Sequence, residues 1–291
     1  LRAPEIFYKI LEKGKDKLVR LGDIAEVKRG FTTGANEFFY LEPTGKPAPK
    51  GLLHVKNSAG WEGYIEEEFL KPVIKSPKEL KTIIVREEDL KYRVFMCNKS
   101  KNELKGTYAL EYIEWGEKQG YHKRPTCASR QRWWDLGEWD DYPILWQVNI
   151  RENFIIPFKP KNIESDKMFY LVGSKSKNPI YDLIIGLYLN STLSRFFLEI
   201  NGLVMMGDST LAIYMVRDLQ ESLIVNPEIF IENGLQSKFE LIIESFAKRE
   251  ILDYFEELGF QKCTQRNCNH PEHPYEYVKP EEVSFDRIMP D

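Results

Sequence analysis

The sequence predicts an α+β fold, with an N-terminal, mainly β subdomain, a C-terminal α/β subdomain and a long C-terminal helix. Three observations predict it. Short apolar runs alternate with turn residues from Leu18 to about Val172, as strands do. An apolar face at helical spacing then runs from Tyr181 to Ile200. A second helical stripe runs from Leu235 to Leu258.

Pro4 to Lys13 opens the chain as a short helix, with Ile6, Phe7, Ile10 and Leu11 at helical spacing and Pro4 suited to a first turn. The strand-length runs that follow are Glu37 to Leu41, Leu52 to Val55, Thr82 to Val85, Arg93 to Cys97, Ile144 to Val148, Phe154 to Ile156 and Met168 to Val172. Many are rich in β-branched or aromatic residues. Glu42 to Gly51 holds three prolines and two glycines and reads as a loop. Tyr108 to Trp115 is a helix candidate, with Tyr108, Tyr112 and Ile113 on one side. In the Tyr181 to Ile200 helix, Ile184, Leu187, Tyr188, Phe196, Phe197 and Ile200 line the broad face, and Asn201-Gly202 stops it. Ala212 to Val216 and Leu223 to Val225 are short strands. In the last helix the stripe Leu235, Phe239, Ile242, Phe246, Ile251, Phe255, Leu258 loses its step across Lys248-Arg249-Glu250, which predicts a shift or kink. Gly259 ends it, and a polar, Pro-rich tail follows.

The chain has 291 residues and 42% hydrophobic content, ample for a sizeable core. No stretch approaches the apolar run that a membrane span needs, and no secretory signal is visible. Four Cys in this length do not make a disulfide framework, so a reducing, cytoplasmic setting is expected. The net charge is only -4, with pI near 5.8. A nucleic-acid partner would therefore have to meet a local basic face, not a basic whole. The first residue is Leu, not Met, and the first residues already read as helix, so the chain is expected to be a piece of a longer protein.

Two separated segments are the most informative. The first runs Leu21-Gly22-Asp23-Ile24-Ala25-Glu26-Val27-Lys28-Arg29-Gly30-Phe31-Thr32-Thr33-Gly34-Ala35-Asn36. The second is Leu187-Tyr188-Leu189-Asn190-Ser191-Thr192-Leu193, followed by Gly207-Asp208-Ser209-Thr210 and Val216-Arg217-Asp218-Leu219. In order and separation they resemble the target recognition (TaqI-like specificity) domain of adenine-N6 DNA methyltransferases, found in type IIG and type I-like restriction-modification systems. The resemblance covers roughly Leu1 to Pro227. It implies a linker helix over 1–17 from an upstream catalytic domain, a DNA target recognition domain over 18–227 and a helical extension with a polar tail over 228–291. One set of motifs is present, not two, which argues against a complete type I specificity subunit.

The resemblance also implies that S-adenosylmethionine and the catalytic groups belong to the upstream domain. Such methyltransferases carry an Asn/Asp-Pro-Pro-aromatic motif that holds the target amino group and stacks on the flipped base. Here Asn178-Pro179-Ile180-Tyr181 has Ile where the second Pro should stand, and it leads directly into a helix. It reads as a loop before a helix start. Gly30-Phe31-Thr32-Thr33-Gly34 is no cofactor loop, because no long helix follows it. No catalytic residue and no cofactor are assigned to this chain.

The candidates for DNA contact are polar and basic. From Lys118 to Trp134 no acid interrupts Lys118, His122, Lys123, Arg124, Arg130 and Arg132, with Gln119, Thr126, Ser129 and Gln131 among them. Arg suits guanine and Gln suits adenine, while Lys and hydroxyls suit phosphates. Lys28, Arg29, Thr32, Thr33 and Asn36, in a segment whose two glycines permit close backbone approach, form a second candidate; a folded turn joining two strands, with glycines needed only for positive φ, is the equal alternative. Lys71 to Lys81 is a third, best read as a solvated face. Ser209 and Thr210 are candidate backbone contacts in a glycine-containing turn.

Cys263-x4-Cys268-x-His270-x2-His273 gathers half of the Cys and half of the His. These four are candidate ligands of one structural zinc, although the spacing is not a Cys-x2-Cys knuckle. A set of unrelated polar tail residues is the alternative.

The expected function is sequence-specific recognition of double-stranded DNA, as the specificity module of an adenine-N6 methyltransferase or restriction-modification enzyme. Its expected partners are duplex DNA and the upstream methyltransferase domain, and no membrane. A protein-interaction scaffold is the alternative. An enzyme in its own right finds no paired-carboxylate or metal-nuclease spacing to support it.

Overall fold

The computed structural model describes residues 3–150, 155–201, 203–204, 212–213, 215–250, 261–262 and 275–276. It contains helices and sheets in an α+β arrangement. The chain forms two compact units, each assembled from separated stretches: 26–146 with 158–173, and 1–25 with 147–157 and 174–291. Among the described residues no helix is long and apolar enough to cross a membrane.

The unit over 26–146 and 158–173 is built on a six-stranded sheet. Its spatial order is Glu164–Ser165, Leu70–Ile74, Tyr92–Phe95, Tyr40–Pro43, Leu52–Lys56, Glu62–Glu66. Only the edge pair formed with Glu164–Ser165 is parallel. The Leu52–Lys56 and Glu62–Glu66 hairpin turns at Asn57, whose side-chain oxygen accepts from the amides of Ala59 and Trp61, both at 3.0 Å. A three-stranded sheet of Ala25–Arg29, Phe169–Ser174 and Ile144–Gln147 completes the β structure.

Helix Tyr108–Lys118 packs against the outer strand Glu62–Glu66. Thr107 caps it, its hydroxyl accepting from the Leu110 amide at 3.2 Å. Its inward face meets an aromatic core around Phe38, which stacks on Tyr112 at 4.5 Å and touches Trp133 at 4.7 Å. The Tyr112 hydroxyl is buried with the ring. It donates to the Phe38 carbonyl at 2.5 Å and accepts from the Asn57 amide at 3.0 Å, so the hydroxyl is satisfied.

In the other unit, Leu18–Arg20 pairs antiparallel with Leu223–Val225, and helix Leu21–Ile24 lies on helix Val216–Glu221. Gly22 makes that contact possible: a Cβ there would stand 2.9 Å from Gln220 Cβ and 3.1 Å from its carbonyl oxygen. The Leu-Gly-Asp-Ile and Val-Arg-Asp-Leu motifs, far apart in sequence, are thus one packed element, with Leu21 and Leu219 fully buried. Helices Pro179–Leu189 and Gln236–Ala247 pack together. Leu203–Val204, Ala212–Ile213 and Asn149–Ile150 form a small sheet.

The structure departs from the sequence expectation in several places. Glu37 to Leu41 is not one strand: helix Asn36–Phe39 comes first, and the strand is Tyr40–Pro43. The single helix expected over Tyr181 to Ile200 is two, Pro179–Leu189 and Thr192–Asn201. Asn190 separates them. Its amide donates to the carbonyls of Ile156 and Gly186, both at 2.8 Å, and its oxygen accepts from the Ile156 amide at 3.0 Å. Ser191 then caps the next helix, accepting from Ser194 at 3.2 Å.

Thr82 to Val85 makes only an isolated bridge, Ile84 to Phe158. Val216 opens a helix instead of ending a strand. Helix Gln236–Ala247 closes where the stripe loses its step, and residues 251–258 of the expected long helix lie outside the described residues.

Candidate nucleic-acid interface

The two DNA-contact candidates, about a hundred positions apart, lie against each other within the sheet-bearing unit. The first is a loop pinned at its base. Arg29 Nε donates to the Lys167 carbonyl at 3.1 Å, Gly30 N to the Phe169 carbonyl at 3.0 Å and Phe31 N to the Ser165 carbonyl at 3.1 Å. Gly30 is required by space, because a Cβ would stand 2.3 Å from the Asp166 carbonyl oxygen. Gly34 is required twice: its φ is +77° and a Cβ would meet Thr126 at 2.6 Å. Between them Thr32 is exposed. Thr33 is buried, its hydroxyl hydrogen-bonded to the side-chain oxygen of exposed Asn36.

The second candidate is not an open loop. After Gly120, at φ +81°, come a 3-10 turn Tyr121–Lys123 and a helical turn Pro125–Ala128, both resting on buried Tyr121 and Cys127. Trp133 and Trp134 anchor its far end in the aromatic core. Its arginines are engaged. Arg130 spans both segments: Nη2 donates to the Thr32 carbonyl at 2.6 Å, and Nη1 to those of Thr33 at 2.9 Å and Trp133 at 3.2 Å. Its guanidinium also lies over the Phe39 ring at 5.6 Å. Arg124 donates to Glu37 at 2.8 Å and lies over the Tyr121 ring. That hydrogen bond holds the Glu37 carboxyl below the usual carboxylate range and raises the guanidinium. Arg132 donates twice to one oxygen of Asp135, at 2.7 and 3.1 Å.

Lys28 pairs with Asp140 and stands over the Tyr142 ring, its ammonium held above the usual range chiefly by the Asp140 hydrogen bond. By contrast Lys118, Gln119, Lys123 and Gln131 are exposed, and among the described residues none of the four side chains has a protein partner. Sequence reasoning missed the acids that meet these bases. Asp135 was visible three positions after Arg132, whereas Glu37 and Asp140 lie 87 and 112 positions from their partners. In the third candidate, Lys75 lies over the rings of Tyr40 and Tyr92 at 4.7 and 4.5 Å, and Lys81 pairs with Asp89.

A groove of about 460 Å³ on the same unit runs past Phe69, Lys71, Cys97, Asn98, Lys99 and Trp139. Burial pushes the Cys97 thiol up to about 11, so it is no reactive thiolate.

Asn178 is a helix cap, its side-chain oxygen accepting from the Ile180 amide at 3.1 Å, and Tyr181 bonds to Glu228. The two polar side chains of the Asn-Pro-Ile-Tyr segment are therefore already partnered. Ser209 and Thr210, and the candidate zinc ligands Cys263, Cys268, His270 and His273, lie outside the described residues. Among the described residues no group of three or more His, Cys, Asp or Glu is placed to hold a metal.

This fold and its relatives define a domain of restriction-modification enzymes. Residues 6–202 match the family model of the Type II methyltransferase M.Eco57I, C-terminal domain, and the chain belongs to that family. It is 27% identical over 190 residues to the Type II methyltransferase M.AccI of Acinetobacter calcoaceticus, across 62% of this chain and 32% of that protein. The type IIG restriction endonuclease BpuSI shares the fold, with a TM-score of 0.56 at 12% identity over 85% of this chain and 28% of that one. The chain thus spans about a third of each relative's length.

Proposed function

We propose that this chain is the target recognition module of an adenine-N6 DNA methyltransferase or restriction-modification enzyme, and that it reads duplex DNA without catalysing a reaction itself. One observation carries the reading: the two candidate segments lie against each other, joined by Arg130, and carry exposed polar and basic side chains that have no partner among the described residues. A rigid loop platform with free polar ends is what groove recognition needs, since scaffold-held loops place side chains against base edges and phosphates.

Lys118 and Lys123 meet phosphates. Arg29, Lys28 and Arg124, each already partnered, shape the surface and add to its potential. Thr32 and Asn36 supply polar contacts from the loop, and Ser209 and Thr210 supply backbone contacts. Methyl transfer, with its S-adenosylmethionine, belongs to the remainder of the parent enzyme. The Cys263, Cys268, His270, His273 set binds one structural zinc.

The test is equilibrium binding of the purified chain to long mixed-sequence duplex DNA, with single-stranded DNA and heparin as competitors. Saturable duplex binding that persists against both competitors supports the reading. Binding that heparin removes completely at modest salt, or none at all, overturns it.

A further inference from the structure

The arginines of the interface are the residues expected to read bases, yet they are the ones the fold consumes. Arg130 donates to three backbone carbonyls, two of them in the partner loop, and Arg132 is held by Asp135. A guanidinium used this way does not have its fork turned outward for guanine. Gln131 stands between these two fixed arginines. It is exposed, and among the described residues its amide makes no hydrogen bond. Its backbone is held on both sides, because Arg130 N donates to the Cys127 carbonyl at 3.1 Å and Asp135 N to the Arg132 carbonyl at 3.0 Å. Its neighbour Arg130 is tied to the carbonyl of exposed Thr32 in the other segment. A side-chain amide presents one donor and one acceptor side by side, which matches the N7 acceptor and N6 donor of adenine in the major groove.

We infer that Gln131 is a specificity-determining residue that reads an adenine edge, and that Arg130 is a positioning residue that holds it and the Thr32 loop in register. This rests on the DNA-reading proposal above. It goes further in naming the base, the reading side chain and the brace.

Selection from a randomised duplex library with the 291-residue chain gives a preference at each base pair. Gln131→Ala should lose roughly 5- to 150-fold discrimination at one A·T pair and leave the other positions unchanged. Gln131→Glu should turn that position towards cytosine, whose N4 amino group donates to a carboxylate. Arg130→Ala should weaken binding and blur the preference at that same A·T pair, while no single guanine preference disappears. Unchanged preferences in both Gln131 variants overturn the inference, as does loss of a guanine preference in Arg130→Ala. If the wild-type chain selects no sequence, the DNA-reading proposal itself fails. If it selects a sequence that the Gln131 variants also select, only the present inference does.

Discussion

Glu164 shows how one side chain can tie stability to pH. It sits on the edge strand of the six-stranded sheet, and burial raises its carboxyl above the usual range, opposed by Lys159 and reinforced by Asp141. Lys159 is itself buried and bonds Asp141 at 2.7 Å, so it keeps a partner without Glu164. The folded state binds the Glu164 proton more tightly than the unfolded chain does. The resulting stabilisation is fully present below the unfolded pKa and is lost as pH rises through the folded one. Glu164→Gln should therefore raise the melting temperature at neutral pH, with the two proteins converging as pH falls below the carboxylate range. Melting curves from acid to neutral pH decide this. A variant less stable than wild type at neutral pH would mean that the Lys159 attraction outweighs the burial.

At the scale of elements, Gly34 and Gly120 offer a matched comparison. Both have φ near +80°, so Ala at either incurs the left-handed strain of about 1–2 kcal/mol. At Gly120 nothing lies within 4 Å, whereas at Gly34 a Cβ would meet Thr126 at 2.6 Å. Gly34→Ala should cost the strain plus the displacement of the helical turn at Pro125–Ala128, while Gly120→Ala should cost the strain alone. Denaturant unfolding of both variants measures the difference, and equal losses would mean that the two segments yield freely to each other.

The same contact marks the limit of what the sequence discloses. The Leu223–Val225 strand, the Tyr108 helix and the break after Ala247 are local, set by alternation, capping and a lost step, and they are legible in the sequence. The Glu-Phe-Phe-Tyr run reads as a strand because every residue after Glu37 is apolar. The Ala35 carbonyl, accepting from both Phe38 and Phe39 at 3.0 Å, turns it into helix. The division at Asn190 was open to inspection, since Asn-Ser-Thr is a stop followed by a cap, but the continuous apolar face outweighed it. For the interface, the residue types were legible and their availability was not. An arginine is free or engaged according to which carbonyls and carboxylates reach it, and those of Arg130 in the other loop lie 97 and 98 positions away.

For the whole molecule, a net charge of -4 makes long-range attraction to DNA weak, so affinity must come from local contacts made at short range. Not every cation on the surface counts equally. Lys28, Arg124 and Arg132 already neutralise Asp140, Glu37 and Asp135, and would have to exchange a carboxylate for a phosphate with little change in net local charge. Lys118 and Lys123 have no such partner among the described residues. Each phosphate neutralised by such a residue releases counterion, which contributes roughly 0.9 to the slope of log affinity against log salt. Lys123→Ala should therefore flatten that slope by about 1, and the double variant with Lys118→Ala by about 2, at every sequence alike. Arg132→Ala should leave the slope nearly unchanged, because it exposes Asp135 as it removes the cation. Binding measured over a range of salt concentrations separates these cases. A slope indifferent to both lysines, with the fold intact, would move the phosphate contacts to another face of the molecule.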